Sequence, residues 1–575
     1  MKKKLPIAFG YYFAGIVLSL FIFFRFHIGT HWNFRIPFQY GGDILAVQYY
    51  LKELISGASW PFLVPKYLNS GAPFGANFGD YPSTDYSHWL ILKFLSFFIK
   101  DSGYLLNFYY LLGFVLSTLT FQWAAKRLGM SRPFALVCGL IFSFIPFHLT
   151  RFSHLFITSY FMIAPMLVLT LRLWKESPKL GLFSQGRPHW GWLVFIFLFS
   201  GSGIYSVFFV CFLLAVSGVS ASLSRRRFLP ALKASGLIGL IVAALLVCTS
   251  PYLIHKYQAG ANLSVAHRVA SEAQTYGLSA MNISLPSPWH RVHWLANLRS
   301  GYRPAYDSVE GNQEYIGTTA LLGLFILCLS FLGTTASTSL LTQLSIIAIS
   351  CFGLATIGGL GAAFAHFVSP MIRCYNRMSV ILALVGILAF GLTLSNLLKR
   401  LNLSQGWHVA LATLCLGWGI FDQARCLFQD QYESIRSAYL SDENFFRGIE
   451  SKLPARSAVL QLPYLAFPES PPIEKLEDYS HFRAPLHTQT LRWSYGAMRG
   501  RPESEQIENV SREPLSLTKI TVLGYSAIYV DRRGYKDRGQ NIESQIMKMN
   551  SHLLGVSPNG DLAVYSISAE PTKDN

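Results

Sequence analysis

Charge is what this sequence has least of. Only 14% of its 575 residues are Asp, Glu, Lys or Arg, 51% are hydrophobic, and the mean hydropathy is +0.34. A soluble chain carries about 25% charged residues, so a water-soluble globular fold is excluded. Acid is scarcer than base: 30 Asp and Glu stand against 48 Lys and Arg, a net charge of +18. The surplus base sits in short loops between apolar runs, as the positive-inside rule expects. A nucleic-acid partner is therefore not implied. The eight cysteines are scattered, most of them inside apolar blocks, as with Cys138, Cys211, Cys248, Cys328, Cys351 and Cys415. No CxxC and no Cys/His cluster is present, which argues against a disulfide framework and a zinc site. No small-residue cleavage site follows Met1-Lys2-Lys3-Lys4 and its apolar run, so an uncleaved first helix with a cytoplasmic N-terminus is expected. Nor is there an internal repeat of the kind found in secondary transporters.

What is present is a series of apolar blocks of about 18–25 residues, the length that crosses a bilayer core. They run at about 5–27, 104–124, 133–150, 156–174, a double block at 190–221 turned by Gly201-Ser202-Gly203, then 231–253, 316–333, 341–360, 378–397 and 406–422. The chain thus reads as a polytopic α-helical membrane protein with about 11 transmembrane helices, residues 1–422. Shorter amphipathic helices are expected near 43–57 and 87–100. From 423 to 575 the composition turns polar, with alternating stretches at 457–464, 519–533 and 561–567 and a helix near 541–553. These predict a C-terminal extracytoplasmic α/β or α+β domain. With the N-terminus inside, parity puts loops 28–103 and 254–315 and the C-terminal domain on the outer face. The protein is expected to be multi-pass in the cell inner (plasma) membrane, with that domain periplasmic or extracellular.

Acid, aromatic and turn residues concentrate in one stretch, Gly41-Gly42-Asp43 to Asp85, beside the first apolar block. Asp43, Asp80 and Asp85 fall on the same expected face as Arg151 and His154, as Arg268, Glu310, Glu314 and Tyr315 of the long loop, and as Arg373 and Arg377. Carboxylates take protons from attacking hydroxyls, and arginine forks neutralise phosphate oxygens. Acid, base and paired arginines at one bilayer surface suit a reaction on a lipid-borne phosphate. Each residue has a blander reading. Asp43 can open a helix as its cap. Asp80 and Asp85 can be solvated turn residues, and the arginines can snorkel to headgroups.

The order GGD…YY…LISGASWPF…GAPFG…YP (41–82), FSHLFITSYFMIAPMLVL (152–169), GSGIYSVFF (201–209), P…H with E…EYIG (286–317) and IRCYNR (372–377) resembles the GT-C superfamily of membrane glycosyltransferases, and within it the YfhO-type branch. The resemblance implies an inverting transfer of sugar from a polyprenyl-phosphate donor to an extracytoplasmic glycan, lipid or protein acceptor, with Asp43 as base. It implies Arg373, Arg377, Arg268 and Arg151 at the phosphate, and Asp80, Asp85, His154, Glu310, Glu314 and Tyr315 at the substrates. A divalent metal (Mg2+ or Mn2+) is optional, with Asp43, Asp80 and Asp85 as the carboxylates to hold it. The alternative is a non-catalytic lipid or polysaccharide transporter or flippase, which would carry its ionisable groups at mid-depth within helices.

Overall fold

The computed structural model describes residues 4–27, 32–175, 183–184, 187–302, 308–333, 339–423 and 429–568. Lys2, Lys3 and residues 176–182 of the basic loop lie outside the described residues. The first apolar block is helix α1 (Lys4–Ile22), closed by one π-helical turn, Phe23–His27. Helix α2 (Gly42–Ser56) and helix α3 (Tyr86–Ser96) follow, separated by a small hairpin of β1 (Lys66–Tyr67) and β2 (Ala76–Asn77). Helix α4 (Ser102–Arg127) starts at Asp101, whose carboxylate accepts from the backbone N–H of Gly103 (2.9 Å) and Tyr104 (3.0 Å). It ends on Lys126 and Arg127, cations at the negative end of the helix dipole.

Among the described residues, six helical stretches are long and apolar enough to cross a membrane: Ser102–Arg127, Arg132–Thr150, Phe152–Trp174, Ile204–Arg225, Leu229–Ala259 and Tyr375–Arg400. Four shorter apolar helices accompany them, Phe9–Arg25, Trp190–Ser200, Thr318–Gly333 and Leu340–Ala355. Two of the long stretches are broken. Helix α5 (Arg132–Ser143) stops before Pro146, which has no N–H to continue the ladder. The chain restarts as Pro146–Thr150, bends through Phe152–His154 and resumes at Ile163–Leu171. Tyr160 donates from its hydroxyl to the freed carbonyls of Phe142 (2.9 Å) and Ser143 (3.4 Å). This satisfies part of what the break exposes. The bend carries Arg151 and His154.

The helices Thr318–Gly333 and Ser379–Arg400 cross at two glycines. A Cβ on Gly323 would stand 1.7 Å from the Gly386 carbonyl oxygen, so only hydrogen fits. Small residues at such crossings let backbones approach where the lipid offers no hydrophobic drive between helices.

The C-terminal part is a five-stranded sheet ordered Arg492–Trp493, Ala458–Leu462, Tyr525–Asp531, Leu562–Ile567, Ser551–Val556. The first three strands are parallel and the last two pairings antiparallel. Every residue of Ala458–Leu462 is buried, as a central parallel strand requires. One face of the sheet (Val459, Ala527, Tyr529, Val564) packs on Phe446 and Ile449 of the Gln429–Glu450 helix. The other (Leu460, Leu462, Ile528, Val530) packs on Ile507, Val510, Ile542 and Ile546. Two expectations need correction. Residues 519–522 of the supposed strand 519–533 belong to the helix Leu517–Val522, and the helix near 541–553 is Gln540–Met547, followed by a strand from Ser551.

This domain shares a core with the first outer loop. Tyr49 of α2 stacks on Phe482 with ring centroids 4.6 Å apart. Tyr40, Tyr67 and Phe78 are buried in the same cluster as Tyr439, Phe467 and Tyr495. The Tyr40 hydroxyl and His487 Nε2 are 2.7 Å apart. Lys52 of α2 donates to the carbonyls of Pro485 and Thr488.

Candidate active site

The site forms where α2, the Arg151–His154 bend and the Arg373–Arg377 segment meet beneath the C-terminal domain. Gly41 is the N-cap of α2, and Gly42 has φ +59, in the left-handed region that favours glycine. The double glycine thus starts the helix without a side-chain cap and leaves Asp43 in its first turn. There the carboxylate sits near the positive end of the helix dipole. His154 Nε2 is 3.5 Å from Asp43 Oδ2.

Half of the Asp43 side chain is reached by solvent. Protein nevertheless crowds it, and lost hydration is the largest influence on its acidity, raising the pKa. Glu469 pushes in the same direction, while Arg377 and Arg373 oppose it. Asp43 is therefore a stronger base than an ordinary aspartate, with two arginines in electrostatic reach.

The four arginines are not equivalent. Arg151 is 1% exposed and donates from Nη1 to Glu310 Oε2 at 2.5 Å. Arg373 Nη1 donates to Glu272 at 2.7 Å, and its guanidinium lies over the Tyr276 ring. Arg268 is held in both arms by Glu469, at 3.0 and 2.5 Å. Arg377 lies over the Tyr205 ring at 4.2 Å, and among the described residues no carboxylate comes within ion-pair distance of it. Of these four arginines, Arg377 is the one whose fork no carboxylate of the described residues occupies.

Asn376 ties the second wall together. Its Nδ2 donates to Glu310 (2.8 Å) and Glu314 (3.2 Å). Burial pushes Glu310 up, but Arg151 and Arg377 outweigh it and hold the carboxyl down at about 2. Burial raises Glu314 instead, because hydrogen bonds and the more distant Arg151 do not offset it. Glu310 is a fixed anion that positions Arg151.

Three expected residues are placed elsewhere. Tyr315 is 1% exposed, and its hydroxyl donates to Asp422 at 2.8 Å, in a buried knot that also binds Thr318 and His290. It secures a helix end, with its hydroxyl committed to Asp422. Asp80 accepts both arms of Arg501, at 2.7 and 2.6 Å, and the amide of Asn262 at 3.1 Å. It clamps the first outer loop to the C-terminal domain. Asp85 lies in an aromatic cavity beside the site. Asp43, Asp80 and Asp85 therefore do not converge as a metal set, and no group of three or more His, Cys, Asp or Glu among the described residues could hold a metal ion.

Two carboxylates escaped sequence reasoning because they come from the distant C-terminal domain. Glu469 accepts from Tyr81 at 3.2 Å besides holding Arg268. Asp478 is raised to about 7 by burial, with Asp43 adding to the effect. The positive φ of the non-glycine residues Glu469, Glu474 and Tyr479 marks this loop as strained, but that signal exists only in the structure.

Residues 87–365, just under half of the chain, match a family profile described as a domain of unknown function, DUF6311. The match takes in Arg151, His154, Arg268, Glu310 and Glu314 and leaves out Asp43, Arg373 and Arg377. Among curated proteins, none matches the sequence. Solved structures do. ArnT from Cupriavidus metallidurans, bound to undecaprenyl phosphate, is 12% identical over 98% of both chains, with a TM-score of 0.54. The archaeal oligosaccharyltransferase AglB from Archaeoglobus fulgidus, in complex with an inhibitory peptide and a dolichol-phosphate, is 13% identical over 98% of this chain and 74% of its own, with a TM-score of 0.45. At these identities the likeness is one of fold, and the weight rests on ArnT. The chain shares the fold of the ArnT structure over 98% of its length.

Proposed function

We propose that this chain is an integral-membrane, inverting glycosyltransferase that uses a polyprenyl-phosphate sugar. Asp43 accepts the proton of the acceptor hydroxyl as its oxygen bonds to the anomeric carbon. The bond from that carbon to the phosphate oxygen breaks, and polyprenyl phosphate departs with the electron pair. Arg377 receives the charge that develops on the phosphate, with Arg373 behind it. His154, beside Asp43, orients the carboxylate. Arg151 and Glu310 form the rigid wall that holds His154 and Arg377 in register. The acceptor is a glycan, lipid or protein reached from outside the inner membrane, with the N-terminus cytoplasmic and the C-terminal domain on the outer face. The finer likeness to the YfhO-type branch rests on motif order alone.

The observation that carries this reading is one carboxylate of raised pKa within electrostatic reach of an arginine that no carboxylate of the described residues pairs. Base and leaving-group stabiliser must meet within a few Å of one carbon. The test is sugar transfer by the full chain in proteoliposomes charged with polyprenyl-phosphate sugars. Asp43→Asn is expected to lower the rate by roughly 100- to 10,000-fold, the range for losing a positioned base. Unchanged turnover in Asp43→Asn would sink the assignment.

A further inference from the structure

A half-open cavity of about 270 Å³ lies beside α2, next to the site just described. Its walls are aromatic: Trp60, Phe62, Tyr86, Trp89, Phe156 and Tyr252. Phe62 stacks on Tyr86 with centroids 5.1 Å apart and planes within 6°. Trp89 meets Phe156 edge-on at 5.0 Å. Phe62 holds this position at φ +67, a strained conformation for a residue with a bulky side chain.

The one carboxylate lining this cavity is Asp85. Asp85 occupies the N-cap of α3, where an aspartate ordinarily accepts from the helix's first N–H groups. Here its side chain makes no capping bond. It accepts only from the Ser83 hydroxyl, at 3.4 Å, and no basic side chain of the described residues lies within 4 Å. The fold makes room for it: Gly203 has φ +97, and a Cβ there would stand 2.9 Å from Asp85 Oδ1. A half-buried anion with so few partners is costly, and lost hydration pushes its pKa up to about 6.

The cavity adjoins the catalytic carboxylate. Tyr50 and Tyr81 line it, and the charge of Asp43 acts on both phenols. Arg377 acts on Asp85 as it does on Asp43.

We propose that this cavity binds the neutral monosaccharide ring of the donor, with Asp85 accepting hydrogen bonds from its hydroxyls and the aromatic walls covering its C–H faces. This rests on the transferase reading and names the substrate class of the same site. A sugar offers an apolar face to aromatic rings and O–H donors to a carboxylate. An isoprenoid tail has no donor and would leave Asp85 unsatisfied. The cavity is also smaller than the roughly 300–1,000 Å³ pockets that enclose drug-sized ligands, so its volume suits one ring. An anionic sugar would meet the charge of Asp85. The ring in this cavity places its phosphate toward Arg377.

Trp60 and Trp89 supply the probe. The full chain in detergent is titrated with free neutral hexoses and pentoses, a uronic acid and an amino sugar, following tryptophan fluorescence. At least one neutral sugar is expected to give a saturable change, kept in Asp43→Asn. It should weaken about tenfold or more in Asp85→Leu, the loss of a charge-assisted hydrogen bond, and less in Asp85→Asn. Trp89→Leu should weaken it, and Trp89→Phe should restore it in part, read through Trp60. Binding of polyprenyl phosphate, retained in Asp85→Leu, shows that this variant is folded. Saturable sugar binding in a protein that transfers nothing would support the cavity assignment while removing the transferase reading. Two results overturn the cavity assignment: no saturable response to any neutral sugar, or tighter binding of the amino sugar. A third is transfer with unchanged KM and sugar preference in Asp85→Leu and Trp89→Leu, which would leave the transferase reading standing.

Discussion

Arg377 offers the sharpest test of the phosphate clamp, because its neighbours set a magnitude for comparison. A hydrogen bond to a charged group contributes roughly 1.5–3 kcal/mol. Arg377 gives up no carboxylate to make one, since none lies within ion-pair distance among the described residues. Its replacement by Met should therefore lose the full amount, weakening the affinity for undecaprenyl phosphate by roughly 10- to 150-fold at 1.4 kcal/mol per decade. Arg268 is different. It must release Glu469 from both arms before it can grip phosphate, so gain and loss largely cancel. Arg268→Met should weaken binding by less than about fivefold on the same reasoning. Glu469→Gln, which loosens that fork, should tighten binding. The assay is equilibrium binding of undecaprenyl phosphate to the purified full chain in detergent at fixed ionic strength. The phosphate is a sufficient probe, because the clamp touches no sugar. If Arg377→Met binds within twofold of the parent while Arg268→Met loses affinity, the ranking of the arginines is wrong, and with it the reasoning from unoccupied forks.

Three further outcomes follow from the geometry. The folded pKa of Asp478, about 7, lies above the unfolded value. Its contribution to stability is thus full below about pH 4 and is lost as pH rises toward 7. Asp478→Asn should flatten the fall of the unfolding temperature between pH 5 and 8, and an unchanged slope would refute the assignment. Arg501→Met strands Asp80, whose side chain is 5% exposed. It should cost about 3 kcal/mol, the low end for a broken buried pair, with part of the loss recovered in Asp80→Asn/Arg501→Met, as a double-variant cycle in thermal unfolding would show. Gly323→Ala should destabilise by roughly 1–3 kcal/mol through overpacking against Gly386. Gly333→Ala, with nothing within 4 Å of its Cβ position, should be silent. Equal unfolding temperatures for these two variants would contradict the close crossing.

The helices were legible because their causes are local. The apolar runs, the Gly-Gly start of α2 and the Gly201–Gly203 turn all act within a few residues, and the structure shows helices beside each of them. Pro146 was equally visible, yet the segment around it reads as one continuous apolar span. Hydropathy counts side chains and does not register a missing N–H, so the break at Pro146 inside 133–150 stayed hidden, while Arg151 and His154 fell between two apolar blocks.

The sequence by itself determined that this is a membrane protein, that its acids and arginines gather at the ends of apolar segments, and that Asp43 opens a helix. Composition and periodicity suffice for those, since burial in lipid and helix initiation depend on near neighbours. Only the tertiary structure decided which charges meet. Asp80 and Tyr315 were spent on Arg501 and Asp422, partners 421 and 107 residues away. Asp43 acquired His154, the arginines and the acids of the C-terminal domain. Sequence spacing does not encode such pairings, because an electrostatic interaction falls off with distance in space, and only folding sets that distance.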